Sequence, residues 1–345
     1  MPDISLTLHP SPIHPLPLIT ASLTTSPTAI PGTTIYAKRE DLTSALASGG
    51  NKTRKLEYLL PDALSQNATT LISIGGIQSN HTRQVAAAAT VAGLKARLVQ
   101  EDWVPWNDPG YDKVGNIQLS RLMGADVRRD PSGFGIEHKP TLRKLQEECE
   151  AAGERTYYIP AGASDHPLGG LGFARWAFEV REQEREMGVR FGTVVVCAVT
   201  GSTMAGMVAG FKLLERVYPE EGRRRVLGVD ASAKPQQTRE QVLRIARMTA
   251  ERIGLKAEDI AEEDVELNED YHAGVYGVPD ERTWEAIRFG AEMEAFITDP
   301  VYEGKSLAGL MDLVRKGEVQ GNVLYAHLGG QLALNAYSEA GGVRV

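Results

Sequence analysis

Thr193-Val194-Val195-Val196-Cys197-Ala198-Val199 runs without a charge into Thr200-Gly201-Ser202-Thr203-Met204-Ala205-Gly206, and a helical pattern continues to about Val217. A short β-branched run followed by small residues and a helix reads as one βα unit with a buried strand. Phe191 to Phe211 carries no charge and is long enough to span a bilayer. Thr200-Gly201-Ser202-Thr203 breaks it in the middle and four glycines punctuate it, so a strand, a tight loop and a helix fit better. Small residues let successive backbone amides approach a phosphate, and the helix dipole favours its charge. No Gly-Lys-Ser/Thr follows and no GxGxxG is present, so neither a Walker loop nor a dinucleotide fingerprint is met. An anion cradle and a plain βα turn both remain open for this loop.

Outward from that unit, strand-like runs recur at 70–74, 96–100, 156–160, 225–231 and 322–328, with helical patterns between several of them. Thr238 to Ile253 places Val242, Ile245, Ala246, Thr249 and Ile253 on one face, and Gly254 stops it. Such alternation predicts an α/β fold with a mostly parallel sheet flanked by helices, and ligands at the carboxyl ends of strands. The 345 residues, 42% of them hydrophobic, supply an ample core without metal or disulfide. A net charge of −8 argues against nucleic acid. Cys149 and Cys197 suggest no disulfide framework and a reducing compartment, and the seven histidines form no metal-binding pair. The N-terminal stretch from Met1 to Leu16 has no basic start followed by an apolar core, so no signal peptide is expected and a cytoplasmic location is.

Three further clusters carry chemistry. Gly49-Gly50-Asn51-Lys52-Thr53-Arg54-Lys55 sets a lysine after two glycines, at the start of a helical pattern. A lysine with a depressed pKa and a fixed amine suits Schiff-base chemistry, although a solvated basic helix start has the same pattern. In Ser73 to Gln84 a strand ends at Gly75-Gly76, and Ser79 is placed to cap a helix running toward Val91 and stopping at Gly93. The amides and polar face there suit a substrate carboxylate, though a capped helix alone fits equally. In Asp299 to Ser306, Tyr302 and Glu303 abut on a loop before Gly304. A phenol beside a carboxylate can move protons, or the acid can hold a ring nitrogen as its cation; a surface loop with a helix cap is the alternative.

Together the clusters resemble a known family. YAKRED (36–41), GGNKTRKLEYL (49–59), SIGGIQSN (73–80), TRQVAA (82–87), VGNIQ (114–118), SDHPLGGLGF (164–173), VTGST (199–203), GVDASAKP (228–235), TDPVYEGKS (298–306) and LYAHLGG (324–330) are similar to the 1-aminocyclopropane-1-carboxylate deaminases. The similarity runs from about Ile13 to Tyr337. The wider group resembles the tryptophan-synthase β-like, fold type II enzymes, which implies two open twisted sheets and pyridoxal 5′-phosphate as cofactor. It also implies a cofactor-binding large domain from residues 1–54 plus 166–345, a smaller inserted domain at 55–165, and a homodimer. Lys52 matches the Schiff-base lysine, Asn80 the partner of the cofactor's ring hydroxyl, and Thr200, Gly201, Ser202 and Thr203 the phosphate loop. Glu303 matches the acid at the pyridine nitrogen, and Tyr302 and Tyr276 match active-site tyrosines. Gln78, Ser79 and Asn80 fall beside the substrate carboxylate, with Leu328 against the cyclopropane.

The implied substrate has no hydrogen on Cα, so its ring must open instead. Lys52 would exchange protons with a ring methylene, assisted by Tyr302 or Ser79. D-cysteine desulfhydrases share most motifs but tend to small hydroxyl residues at the positions of Glu303 and Leu328; both here keep the deaminase pattern. A pyridoxal-phosphate protein without turnover would be expected to lack Lys52 or Tyr302, and a simple anion-binding protein would carry no cofactor. Three departures flank the site. LTSALAS (42–48) stands where CNSGLAF is more frequent, Gln331-Leu332 replaces another residue and a proline, and His81 replaces a glutamine. His81 is expected to extend the helix surface, or else to add a titrating group near the cofactor.

Overall fold

The computed structural model describes residues 5–134 and 140–338. The outer ends of the expected large domain and residues 135–139 of the smaller one lie outside the described residues. The first half contains β1 (Ile13–Pro15), α1 (Pro17–Leu23), β2 (Thr34–Arg39), α2 (Lys52–Ser65), β3 (Thr70–Gly76) and α3 (Asn80–Val91). It continues with β4 (Lys95–Glu101), α4 (Asn116–Leu122), β5 (Asp126–Asp130), α5 (Pro140–Ala151) and β6 (Thr156–Ile159). Then follow α6 (Leu171–Met187), β7 (Thr193–Ala198), α7 (Ser202–Val217), β8 (Arg225–Asp230) and α8 (Pro235–Arg252). The last are β9 (Glu266–Asn268), α9 (Glu281–Glu294), α10 (Glu303–Arg315) and β10 (Asn322–His327).

Two sheets result. One has the order β1-β2-β10-β7-β8-β9, the other β5-β4-β3-β6. Every pairing is parallel except β1 against β2. All six expected strands form. β3 and β7 are buried along their whole length, as strands covered on both faces must be. The four strands without a sequence signal are β1, β2, β5 and β9. β1 and β9 are three residues each at sheet edges, and β5 reads Asp-Val-Arg-Arg-Asp, so these three offer no hydrophobic run; in β2 the apolar Ile35-Tyr36-Ala37 is too short to stand out. No described helix is long and apolar enough to cross a membrane; the uncharged stretch around residue 200 is β7, a turn and the start of α7.

Local chemistry sets the element ends. Ser79 Oγ accepts from Thr82 N at 3.2 Å and starts α3, and Gly93, with φ +69°, follows its end. α8 buries Val242, Ile245, Ala246 and Thr249 as its period requires. Gly206 and Gly210 let α7 lie against α6 so closely that added Cβ atoms would fall 2.3 Å from Gly170 O and 2.5 Å from Ala174 O. The start of α2 is anchored by a buried charge cluster. Arg54 donates to Glu40 Oε2 at 2.6 Å and to Glu179 Oε1 at 2.8 Å, and Lys38 reaches the same Glu179 carboxylate. Such buried pairs specify an arrangement more than they add stability, because desolvation cancels much of the attraction. Here the arrangement specified is the placement of Lys52, two residues before Arg54.

Candidate active site

The ends of β3, β7 and β10 converge on a cleft with about 750 Å³ of empty space, part of it open solvent. Lys52, Asn80, Thr200, Tyr276, Glu303 and Leu328 line it, together with Ser79, Gly201, Thr203 and Tyr302. Six separate stretches of sequence thus meet in one place, as open α/β sheets allow. Among the described residues no group of metal-binding side chains occurs.

Lys52 opens α2 with its Nζ 3.0 Å from Asn51 Oδ1, and Asn51 Nδ2 donates to Thr203 Oγ1 at 3.0 Å. Burial pushes the Lys52 pKa down to about 8, against the opposing pull of Cys197 and Glu303. Its amine is therefore neutral in a useful fraction of molecules near neutral pH, which a nucleophilic lysine needs. The solvated helix start is not what forms.

Glu303 is the first residue of α10 rather than part of a surface loop, and it is fully buried. Tyr325 Oη lies 3.0 Å from Glu303 Oε2, while Oε1 has no hydrogen-bond partner among the described residues. Burial, reinforced by Asp299, raises the Glu303 pKa well above the usual carboxylate range. A cationic ring N–H at Oε1 would offset that penalty and restore the carboxylate. Asp299 builds the turn ahead of Glu303: its carboxylate accepts from the amides of Val301, Tyr302 and Glu303 at 2.9, 3.0 and 3.1 Å. The hydroxyls of Tyr302 and Tyr276 are in direct hydrogen-bond contact, and burial raises both phenol pKa values. Phe134 stacks on Tyr276 at 4.3 Å between ring centroids. Lys305 Nζ donates to His272 O at 2.8 Å and Val275 O at 3.1 Å, tying the loop before Tyr276 to α10.

At the opposite pole, Gly201 turns with φ +89° into α7. Thr200 Oγ1 and Ser202 Oγ gather around Ser164 Oγ at 2.7 and 3.0 Å. Lys55, fully buried, donates to Ser202 Oγ at 2.6 Å and Gly162 O at 3.0 Å, and no carboxylate pairs with it among the described residues. Burial and the neighbouring Lys52 push its pKa well down. A buried ammonium beside a small-residue helix start, without an acid, is a site prepared for an anion.

Comparison with known proteins decides between a bare anion site and a cofactor enzyme. Residues 4–329 match the family model described as "Pyridoxal-phosphate dependent enzyme". A 1-aminocyclopropane-1-carboxylate deaminase of Burkholderia cenocepacia is 56% identical over 340 residues, covering 98% of this chain and 96% of that protein. The chain belongs to the pyridoxal-phosphate dependent enzymes. A probable 1-aminocyclopropane-1-carboxylate deaminase of Cryptococcus neoformans is 53% identical, covering 98% of this chain and 95% of its own. The crystal structure of an ACC deaminase homologue superposes with a TM-score of 0.82 at 34% identity, covering 96% of this chain and 92% of that one. These matches agree with the two mostly parallel sheets of fold type II.

The cavity fits the cofactor of this pyridoxal-phosphate family at both ends. The turn at Thr200–Thr203 offers amides to a phosphate, with Lys55 behind it on Ser202 Oγ rather than in the cavity lining, and Glu303 Oε1 offers an unshared oxygen to a ring nitrogen. Lys55 was not among the expected site residues. Its signal is its position one helical turn after Lys52, on the same face. Ser202 belongs to the loop but its side chain is fully buried, bound to Lys55 and Ser164, so only its backbone is available there.

Two expectations need correction. Gln78 does not offer its side chain to the cavity: Nε2 donates to Tyr111 O at 2.6 Å and Val114 O at 2.8 Å, and Oε1 accepts from Asn116 N at 3.0 Å. All its polar capacity braces the 111–116 loop. His81 does not extend the helix surface either. It is 3% exposed, lines the cavity floor and places Nε2 2.9 Å from Ser73 Oγ. Burial, with Lys52 and Lys55 nearby, pushes its pKa well below 6.5, so the imidazole is neutral.

Proposed function

We propose that this protein opens the ring of 1-aminocyclopropane-1-carboxylate and, with one water, releases 2-oxobutanoate and ammonia. The observation that carries the reading is a neutralisable lysine, a buried carboxylate with one free oxygen, and a pair of touching phenols on one cavity. The names of the similar deaminases, and the Glu303–Leu328 pair that departs from the desulfhydrase pattern, support the substrate.

The cofactor, when bound, supplies an electron sink for the bond broken at the substrate's Cα. The residues do the rest. Glu303 keeps the ring nitrogen protonated, Lys55 and the amides at Gly201, Ser202 and Thr203 hold the phosphate with Thr200 beside them, and Asn80 meets the ring hydroxyl. Ser79 and the amides opening α3 hold the substrate carboxylate. Lys52 hands a proton to the methylene carbon that becomes the product's methyl. Leu328 packs against the apolar ring. Tyr302 assists opening, with Tyr276 orienting its hydroxyl through their shared hydrogen bond. Tyr302→Phe is expected to leave the absorbance of the cofactor-loaded protein intact and lower turnover by about a hundredfold or more, as for loss of a proton-transfer group. Turnover at the unaltered rate would move that role to Ser79.

The reading extends to residues 1–54 plus 166–345 as the cofactor-binding domain with 55–165 inserted; the four-stranded sheet, drawn from residues 70–159, supports this division. A cytoplasmic homodimer completes it, supported by two free buried cysteines for the location and by family resemblance for the pairing.

The test gives cofactor-loaded protein the cyclopropane amino acid and D-cysteine in parallel. Strong 2-oxobutanoate with little sulfide is expected. Sulfide and pyruvate without 2-oxobutanoate would overturn the assignment in favour of a D-cysteine desulfhydrase.

A further inference from the structure

The motif Val114-Gly115-Asn116-Ile117-Gln118 has no part in the chemistry above, yet it is pressed against the site. Gly115 has φ +71°, and a Cβ there would fall 2.6 Å from Gln78 Oε1 and 2.7 Å from Leu332 O. Asn116 therefore opens α4 directly behind Asn80. Its Nδ2 donates to Asn80 Oδ1 at 2.9 Å and to Gln78 O at 3.0 Å, and its Oδ1 accepts from Arg83 Nε at 2.7 Å.

We propose that Asn116, oriented by Arg83, is a positioning residue that fixes the Asn80 amide with its NH2 toward the cofactor. The argument is one of donors and acceptors. A guanidinium can only donate. Asn116 must turn its oxygen to Arg83, so its NH2 faces Gln78 O and Asn80. Asn80 must then turn its own oxygen to Asn116, which leaves its two N–H donors on the other side. That side is the cavity, which Asn80 lines, and its Nδ2 makes no protein hydrogen bond among the described residues. Without this relay the two amide orientations have almost the same shape, and half the molecules could present a carbonyl to an electron-rich ring oxygen. Arg83 is itself fixed. Its NH2 group donates to Gly49 O at 3.1 Å and its NH1 group to Ala47 O, on the loop that delivers Lys52. No carboxylate pairs with it among the described residues, and it remains charged at neutral pH although burial pushes its pKa down to about 10. One buried cation thus sets both the loop before the cofactor-bearing lysine and the orientation of the amide on the ring oxygen.

The inference rests on Asn80 meeting the cofactor's ring hydroxyl, and the test separates the two. The cofactor-loaded wild type, Asn80→Ala and Asn116→Asp are compared by visible absorbance and by cofactor dissociation constant. Asn116→Asp keeps the shape and the Arg83 contact but cannot donate, so it pulls the Asn80 NH2 away from the cavity. It is expected to displace the cofactor band in the same direction as Asn80→Ala and to weaken cofactor retention about tenfold. A band at the wild-type position in Asn116→Asp, while Asn80→Ala moves it, would overturn the relay. A band unmoved in Asn80→Ala would remove the assignment of Asn80 itself, and the relay with it. Should the aspartate variant not fold, Asn116→Ala is read in the same way, since it also releases the Asn80 amide.

Discussion

Exchanging Lys52 for alanine is expected to remove both turnover and the visible absorbance of the cofactor-loaded protein. Two functions end at once under the proposed roles, in which one amine both anchors the cofactor and moves the substrate's proton. A positioned acid–base group contributes about 10²–10⁴-fold by itself, so the loss should reach at least ~10³-fold once anchoring is included. Folding should survive, since among the described residues the Lys52 amine makes a single hydrogen bond, to Asn51, and the charge cluster that holds α2 begins at Arg54. Absorbance spectra and 2-oxobutanoate release are the measurements. A retained visible band would mean that another lysine carries the cofactor, and Lys55, one turn further on, would be the candidate.

Lys55→Met should act in opposite directions on the empty and the loaded protein. In the empty chain Lys55 has no acid partner among the described residues, and burying it is costly whether the charge is kept or the amine is forced neutral. Removing it for an apolar chain of similar length should raise the melting temperature of the cofactor-free protein by a few degrees, at roughly 2–4 °C per kcal/mol for large domains. In the loaded chain the same change deletes a charge-assisted contact to the phosphate, worth about 1.5–3 kcal/mol. Cofactor affinity should therefore fall roughly ten- to hundredfold. Thermal melts with and without cofactor, together with a cofactor titration, give both signs. A variant whose empty form melts lower, or whose affinity is unaltered, would refute the assignment of Lys55 to the phosphate.

Much of this site could be read from sequence because its parts are local patterns. A strand, a glycine-containing turn and a capped helix announce themselves at Ser73–Asn80 and at Thr193–Thr203, and Tyr302 and Glu303 are adjacent in the chain. What escaped is decided across the fold. Lys55 looks like any helix-surface lysine until Gly162 and Ser202, more than a hundred residues away, close over it. Gln78 directly precedes two residues of the right type, Ser79 and Asn80, but the 111–116 loop claims its side chain from behind. His81 appears on the polar side of α3, and only the packing of β3 and β6 shows that this side faces inward, through Ser73 to Ile159 O. The edge strands were silent for a related reason: β5 is charged at four of its five residues, so burial never wrote a hydrophobic period into it.

The link from Lys305 to the carbonyls of His272 and Val275 has a consequence for how this enzyme could change its diet. Glu303 starts the same helix, Tyr302 precedes it, and Tyr276 follows the tethered loop. The acid and both phenols consequently travel as one piece, and widening the pocket on that flank would disturb all three together. Room for a bulkier amino acid has to come from the wall of Ser79, Trp103 and Phe134, which meets Tyr276 through its two rings but carries none of those three groups. Selection for new substrates should therefore leave its substitutions on the small-sheet side, with the α10 side kept as inherited machinery.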